Sequence, residues 1–218
     1  MKNEFNKKYE KLSQDQRLYG LNIPIVAIAG GIATGKSTVT SILRQKGLFV
    51  IDADHLVKMI YQTEEAKKFI RDHFPEAWMK SEINFKKLRS IFFSDNKRKE
   101  LVENFIYSKL PYSFKQEVLK ITNQDFCIYD VPLLFEKEID KKVDVSVLIY
   151  APEEVQIQRL TKRDHCSTED AKKIISQQMG IEMKKDKADL IILNEGSQKE
   201  LYQNVVSVLD TIIYTNQS

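Results

Sequence analysis

Residues 23–38 read Ile-Pro-Ile-Val-Ala-Ile-Ala-Gly-Gly-Ile-Ala-Thr-Gly-Lys-Ser-Thr: an apolar run, a glycine-rich loop, then a helix start. Gly30, Gly35, Lys36 and Ser37 fit the pattern G-x-x-x-x-G-K-[ST] without mismatch. This pattern prescribes where a polyphosphate goes. Glycines let consecutive backbone N–H groups curl around the anion. The helix beginning near Gly35 aims the positive end of its dipole at the same charge. Lys36 can reach β- and γ-phosphates, and the Ser37 hydroxyl can ligate Mg²⁺. The expected nucleotide-binding loop is therefore Gly30, Gly31, Ile32, Ala33, Thr34, Gly35, Lys36, Ser37 and Thr38. A chance turn is a poor alternative, because the strand before and the helix after both stand where the motif needs them.

The rest of the chain alternates strand and helix signals. Ile23–Ala29 reads as a buried strand, and Lys36–Lys46 as a helix ended by Gly47. Leu48–Ile51 is a second strand, Phe126–Val131 a third, Val143–Tyr150 a fourth and Leu190–Leu193 a fifth. Lys199–Tyr214 is expected to close the chain as an amphipathic helix. Strands separated by helices imply an α/β fold with a mostly parallel sheet covered on both faces. Residues 55–122 read as helical and exceed what a crossover needs, so they are either a substrate-binding insertion or added scaffold. Residues 1–22 look like an appendage, with Phe5, Tyr9 and Leu12 at helical spacing: either a short docking helix or a disordered tail.

At 218 residues the chain is long enough for one domain with a real core. Its net charge of +3 suits a small anionic substrate and is too weak to argue for nucleic acid. Two cysteines, Cys127 and Cys166, do not make a disulfide scaffold, so a reducing, cytoplasmic setting is expected. His165 and Cys166 have no second such pair nearby, which argues against structural zinc. The uncharged stretch from Leu18 to Gly35 holds Asn22, Pro24 and four glycines, so no membrane partner is expected. The charged first ten residues are not a secretory signal. A monomer or weak homo-oligomer is expected.

Several side chains can carry chemistry. Asp52 and Asp54 lie just past the carboxyl end of strand two, where ligands bind in open α/β sheets. One can hold Mg²⁺ through water while the other takes a proton from an attacking hydroxyl; equally, Asp54 can simply cap the following helix. Asp130 ends Phe126-Cys-Ile-Tyr-Asp, a Walker B shape whose aspartate faces Mg²⁺. Arg159 and Arg163 share a helix face at i and i+4. They either clamp a triphosphate or form a solvated basic face paired with Asp164 and Glu169. Thr161-Lys-Arg-Asp164 mimics a guanine-reading motif but lies about three helical turns beyond strand four. None of the seven glycines has an aspartate three residues earlier, so a GTPase is not indicated.

Assembled in order, these residues resemble the dephospho-coenzyme A kinase family over about Ile25 to Leu201. The marks are Gly30-Gly-Ile-Ala-Thr-Gly-Lys-Ser-Thr38, Ile51-Asp-Ala-Asp54, Phe92-Phe-Ser-Asp95 and Val131-Pro-Leu-Leu-Phe-Glu136. Further along come Arg159-Leu-x-x-Arg163-Asp164 with Gln177, and Ala188-Asp189 leading to Asn194-Glu-Gly196. Many families share the phosphate loop; the Asp-Ala-Asp and Pro-Leu-Leu-Phe-Glu segments are more specific. The resemblance implies a three-layer phosphate-loop kinase fold over residues 23–218, with a five-stranded sheet in the order 2-3-1-4-5. It implies a helical substrate-binding insertion and a lid at about 153–180. It also implies transfer of the ATP γ-phosphoryl group to the ribose 3′-hydroxyl of dephospho-coenzyme A. Carried over by position, Asp54 is the general base, and Lys36, Arg159 and Arg163 act on the phosphates. Asn194 and Gly196 sit near adenine, and Leu133, Leu134 and Glu136 join Asp54 on the substrate side. Ser37, Asp52 and Asp130 attend Mg²⁺.

Some positions depart from the family pattern. Ala33 stands where glycine is usual, and a methyl is accommodated there if φ is negative. Tyr107-Ser108 replaces a His-Pro pair, Phe85 an arginine, and Lys173 a lid arginine with its bidentate geometry. Two rival readings follow: a kinase of this fold acting on another small hydroxyl acceptor, such as a nucleoside or shikimate, or a nucleotide-binding protein without transfer activity.

Overall fold

Five apolar segments line up as one parallel sheet, and everything that positions the phosphate loop follows from its order. The computed structural model describes residues 3–215. Along the chain come β1 (Asn3–Phe5), β2 (Ile25–Gly30), α1 (Lys36–Gln45) and β3 (Val50–Asp52). Then follow α2 (Ala53–Gln62), α3 (Glu64–His73), β4 (Trp78–Met79), β5 (Glu82–Ile83), α4 (Phe85–Ser94) and α5 (Asn96–Val118). The remainder is β6 (Cys127–Asp130), β7 (Val145–Tyr150), α6 (Glu153–Asp164), α7 (Thr168–Ile175), α8 (Ile181–Lys187), β8 (Leu190–Leu193), α9 (Gln198–Ile212) and β9 (Ile213–Thr215). Two compact units result: Met1–Asp52 together with Val118–Ser218, and Ala53–Glu117.

In the first unit the sheet order is β3-β6-β2-β7-β8, every pairing parallel. Counted along the chain, that is the expected 2-3-1-4-5. β2 and β7 are buried along their whole length, which explains why they read as unbroken apolar runs. Val26, Ile28, Phe126, Ile128, Val145 and Val147 meet Val39 and Leu43 of α1 and Leu201, Val205 and Leu209 of α9 in one core. Gly47, at φ 79°, follows the end of α1, as a glycine past a helix end does.

Among the described residues, 3–22 form neither a docking helix nor a disordered tail. β1 pairs antiparallel with β9. Phe5 enters the core beside Phe126, ring centroids 5.8 Å apart. Arg17 is buried against Asp144, with Nε 2.8 Å from Oδ2. The expected helix at Phe5, Tyr9 and Leu12 shrinks to a single 3₁₀ turn, Lys7–Tyr9. At the other end α9 stops at Ile212, and Ile213 and Tyr214 extend into β9 instead of continuing the helix. Both differences from the local pattern have one cause. A strand whose partner lies 210 residues away leaves no local periodicity to detect.

In the second unit helices dominate, as expected, but β4 and β5 form a hairpin within the supposed helical stretch. Its two-residue turn, Lys80-Ser81, has φ of 50° and 63°. That is the backbone such a turn demands, without the Asn-Gly that usually advertises it. α5 buries Val102, Ile106, Leu110 and Phe114, spaced four apart, and carries Pro111 inside. Phe105 stacks on Phe69 of α3 at 4.2 Å. Of the departing positions, Phe85 opens α4 with its ring 5.2 Å from Tyr61, and Tyr107-Ser108 lie mid-way along α5. Among the described residues no helix is long and apolar enough to cross a membrane.

Candidate active site

The phosphate loop leaves the carboxyl end of β2 and closes into the first turn of α1. Gly35 is the residue before α1 and has φ 92°, a left-handed conformation that favours glycine. A Cβ there would also collide with Asn194 Nδ2. Ala33 has φ 59°, not the negative value its methyl prefers. The departure from glycine at this position is thus a strained one.

Asn194 braces the loop. It follows β8, is buried, and donates from Nδ2 to the Thr34 carbonyl at 2.7 Å. Its own carbonyl accepts from Arg159 Nη2 at 2.8 Å, and Arg159 Nη1 reaches the Ala33 carbonyl at 3.5 Å. Arg159 therefore sits on the loop. Arg163, one turn on, does not. Its guanidinium forks onto Asp164 at 2.7 and 2.9 Å in an exposed pair, and that bond raises its pKa. Spacing put the two arginines on one face; their partners separate them. Thr161-Lys-Arg-Asp164 lies inside α6, so it is no base-reading loop. Gly196 precedes the Ser197–Glu200 capping box of α9. Lys173 is exposed, 3.8 Å from Asp170.

Two carboxylates stand side by side at the strand ends. Asp52 and Asp130 are register partners on β3 and β6. Lys36, the residue before Ser37, forms an ion pair through Nζ with Asp130 Oδ1. Asp54 is in the first turn of α2, past the position from which a side chain caps, so its structural alternative is interaction with the helix dipole. In the segment after β6, Leu133 is exposed, Leu134 is fully buried, and Glu136 pairs with Lys184 Nζ at 2.8 Å. Among the described residues no three His, Cys, Asp or Glu side chains gather as a metal site. Cys127 and Cys166 are both free, and burial pushes the Cys127 thiol pKa up.

Two participants had no signal in the sequence. Gln156 is buried, donates to the Ala151 carbonyl at 2.9 Å, and its Oε1 lies 2.9 Å from where a Cβ on Gly31 would be. Lys184, also buried, sits in the run Met183-Lys-Lys-Asp-Lys187, where nothing local distinguishes it from its solvated neighbours.

Residues 24–200 match the family model described as dephospho-CoA kinase, CoaE. The chain belongs to the dephospho-CoA kinase family. A dephospho-CoA kinase of Fusobacterium nucleatum is 34% identical over 88% of this chain and 100% of its own length. One of Wolinella succinogenes is 37% identical over 86% of this chain and 94% of its own. Among solved structures, the dephospho-CoA kinase from Campylobacter jejuni superposes with a TM-score of 0.63 at 29% identity, covering 85% of this chain and 95% of that one. The Thermus thermophilus protein TT1252 superposes at 0.76 with 28% identity, covering 88% and 98%. As a member of this family the chain is a kinase, a transferase that uses a nucleotide.

Proposed function

We propose that this chain transfers the γ-phosphoryl group of ATP to the ribose 3′-hydroxyl of dephospho-coenzyme A, giving coenzyme A. The observation that carries the reading is a complete phosphate loop set against the Asp52 and Asp130 strand ends in a member of this family. The loop amides and Lys36 hold the β- and γ-phosphates. Lys36 is paired with Asp130 in this structure, and a polyphosphate offers its ammonium a denser negative charge. Binding thus exchanges the partner of Lys36. Arg159 is already on the loop; Arg163 has to leave Asp164 to act on the transferring group, which makes it the moving part of the lid. Closure keeps water, a competing acceptor, away from the phosphoryl group. Asp54 takes the hydroxyl proton, a role supported by its place in Ile51-Asp-Ala-Asp54.

Mg²⁺ fits the donor set. Ser37, Asp52 and Asp130 offer hard oxygen, and an ion that keeps several waters needs only one or two carboxylates beside phosphate. When bound, it neutralises charge on the β- and γ-phosphate oxygens. Two free cysteines suit a cytoplasmic enzyme.

The test mixes the protein with ATP, Mg²⁺ and either dephospho-coenzyme A or a panel of other hydroxyl acceptors, followed by mass spectrometry. Coenzyme A is the expected product. Transfer only to a nucleoside- or shikimate-like acceptor replaces the substrate, and no transfer at all removes the kinase reading. Asp54→Asn is expected to lower turnover ~10²- to 10⁴-fold while sparing ATP binding. Equal loss of both would make Asp54 structural.

A further inference from the structure

Lys184 has no exposed side-chain surface, yet it carries an ammonium. Two other chain segments meet on it. Its Nζ lies 2.8 Å from Glu136 Oε1 in the segment after β6, and it donates to the Gly30 carbonyl, where the phosphate loop begins, at 3.3 Å. The same Glu136 oxygen accepts from the Met179 N–H at 3.1 Å, just ahead of α8, which bears Lys184. The contacts form a ring: loop carbonyl, ammonium, carboxylate, backbone amide, and back along α8. Glu136 Oε2 and Gln178 Oε1 are buried there without a hydrogen-bond partner.

Stability does not explain such a pair. Apolar side chains of similar volume commonly replace a buried ion pair at no loss, since desolvation offsets much of the attraction. What charged, directional contacts supply is one geometry. Here that geometry relates the loop that receives ATP to the Pro132–Glu136 segment, whose family-like run is assigned to the acceptor side. Phosphoryl transfer is sensitive to misplacement of about 1 Å between donor and acceptor.

We infer that Lys184 is a positioning residue for transfer, holding the nucleotide loop and the acceptor-side segment in one relation through Gly30 and Glu136. The inference rests on the kinase reading above. When that relation loosens, ATP still binds but the acceptor hydroxyl is misplaced. Water then competes as the attacking oxygen: its oxygen bonds to the γ-phosphorus as the bond to the ADP oxygen breaks, releasing ADP, phosphate and a proton. The signature is ADP formed without coenzyme A.

The experiment measures initial rates of ADP and coenzyme A for wild type, Lys184→Arg and Lys184→Met. Melting temperature is recorded with and without ATP. Wild type is expected to give one ADP per coenzyme A. Lys184→Met should lose turnover on the order of 10²-fold, the cost of displacing reacting groups by about 1 Å. Its ADP-to-coenzyme A ratio should rise clearly above one, while the melting-temperature gain on adding ATP stays near that of wild type. Lys184→Arg keeps a cation for Glu136 but moves its donors, so it should fall between the two. A ratio of one in both variants overturns the inference. If Lys184→Met does not fold, Lys184→Arg decides by the same ratio. No coenzyme A from wild type would instead overturn the kinase reading.

Discussion

The two ends of the same sheet each hold a buried carboxylate against a cation, and they do opposite things. At the carboxyl ends Asp130 holds Lys36, whose side chain is 22% exposed. At the amino ends Asp144, fully buried, holds Arg17, 4% exposed. Asp144 accepts from Arg17 Nε and Nη2 and from the backbone N–H groups of Lys11, Leu12 and Ile25. Burial by itself would lower the Arg17 pKa, but the bonds to Asp144 and Glu10 raise it above the usual value. Charge pairing is common to both ends; what differs is whether the cation can leave. Lys36 has solvent beside it and, in the proposed mechanism, a stronger anion to move to. Arg17 has neither, so its pair fastens the N-terminal segment permanently. The proposed chemistry sits where the pair is replaceable.

Breaking each pair should therefore give different readouts. Lys36→Ala is expected to cut turnover ~10³-fold, the scale of lost transition-state electrostatics, with a smaller loss of stability than at Arg17 because the Lys36 end of the pair is partly solvated. Near-normal turnover would erase the contrast. Arg17→Met should do the reverse. It is expected to cost about 3 kcal/mol of stability, the lower end for breaking a buried pair, because three backbone N–H groups still bond the carboxylate. Chemical denaturation measures that loss, and turnover per folded molecule should be unchanged. A large fall in turnover would tie the amino end to the chemistry.

Smaller effects sharpen the picture. Ala33→Gly should stabilise the protein by about 0.5–1 kcal/mol, because glycine adopts φ 59° without the methyl's strain but loses more chain entropy. Lower stability would mean that the methyl makes compensating contacts. The smallest effect is at Asp189. Burial opposes its charge, but Lys11 and the Ser146 N–H and hydroxyl prevail, so its pKa lies below the usual carboxylate value. The folded state then binds its proton less readily than the unfolded chain. Its contribution is present above the unfolded carboxylate pKa and disappears as pH falls through the lower folded value. Asp189→Asn should be less stable than wild type at neutral pH, with the gap closing in strong acid. A gap independent of pH would assign the effect to shape rather than charge.

Local signals carried much of the site. The loop from Gly30 to Thr38 was legible because its backbone geometry needs glycines at fixed offsets, and Asp52 and Asp130 because they end apolar runs. Arg159 and Arg163 show the limit of spacing: it says which helix face a side chain shares but not which neighbour holds it, and Asp164 holds Arg163 while the phosphate loop holds Arg159. Gln156, Lys184 and the Lys80-Ser81 turn carry residue types with no positional signature.

The amino-acid sequence by itself determined the alternation of strands and helices, the phosphate loop and the family, because each depends on short-range pattern. Only the tertiary structure decided that residues 3–17 are stapled to the core, that Ile213–Thr215 leave the helix for a strand, and that Lys184 is buried beneath the loop. Those outcomes depend on pairings between residues far apart in the chain. Their free energy arises only once the intervening chain has folded.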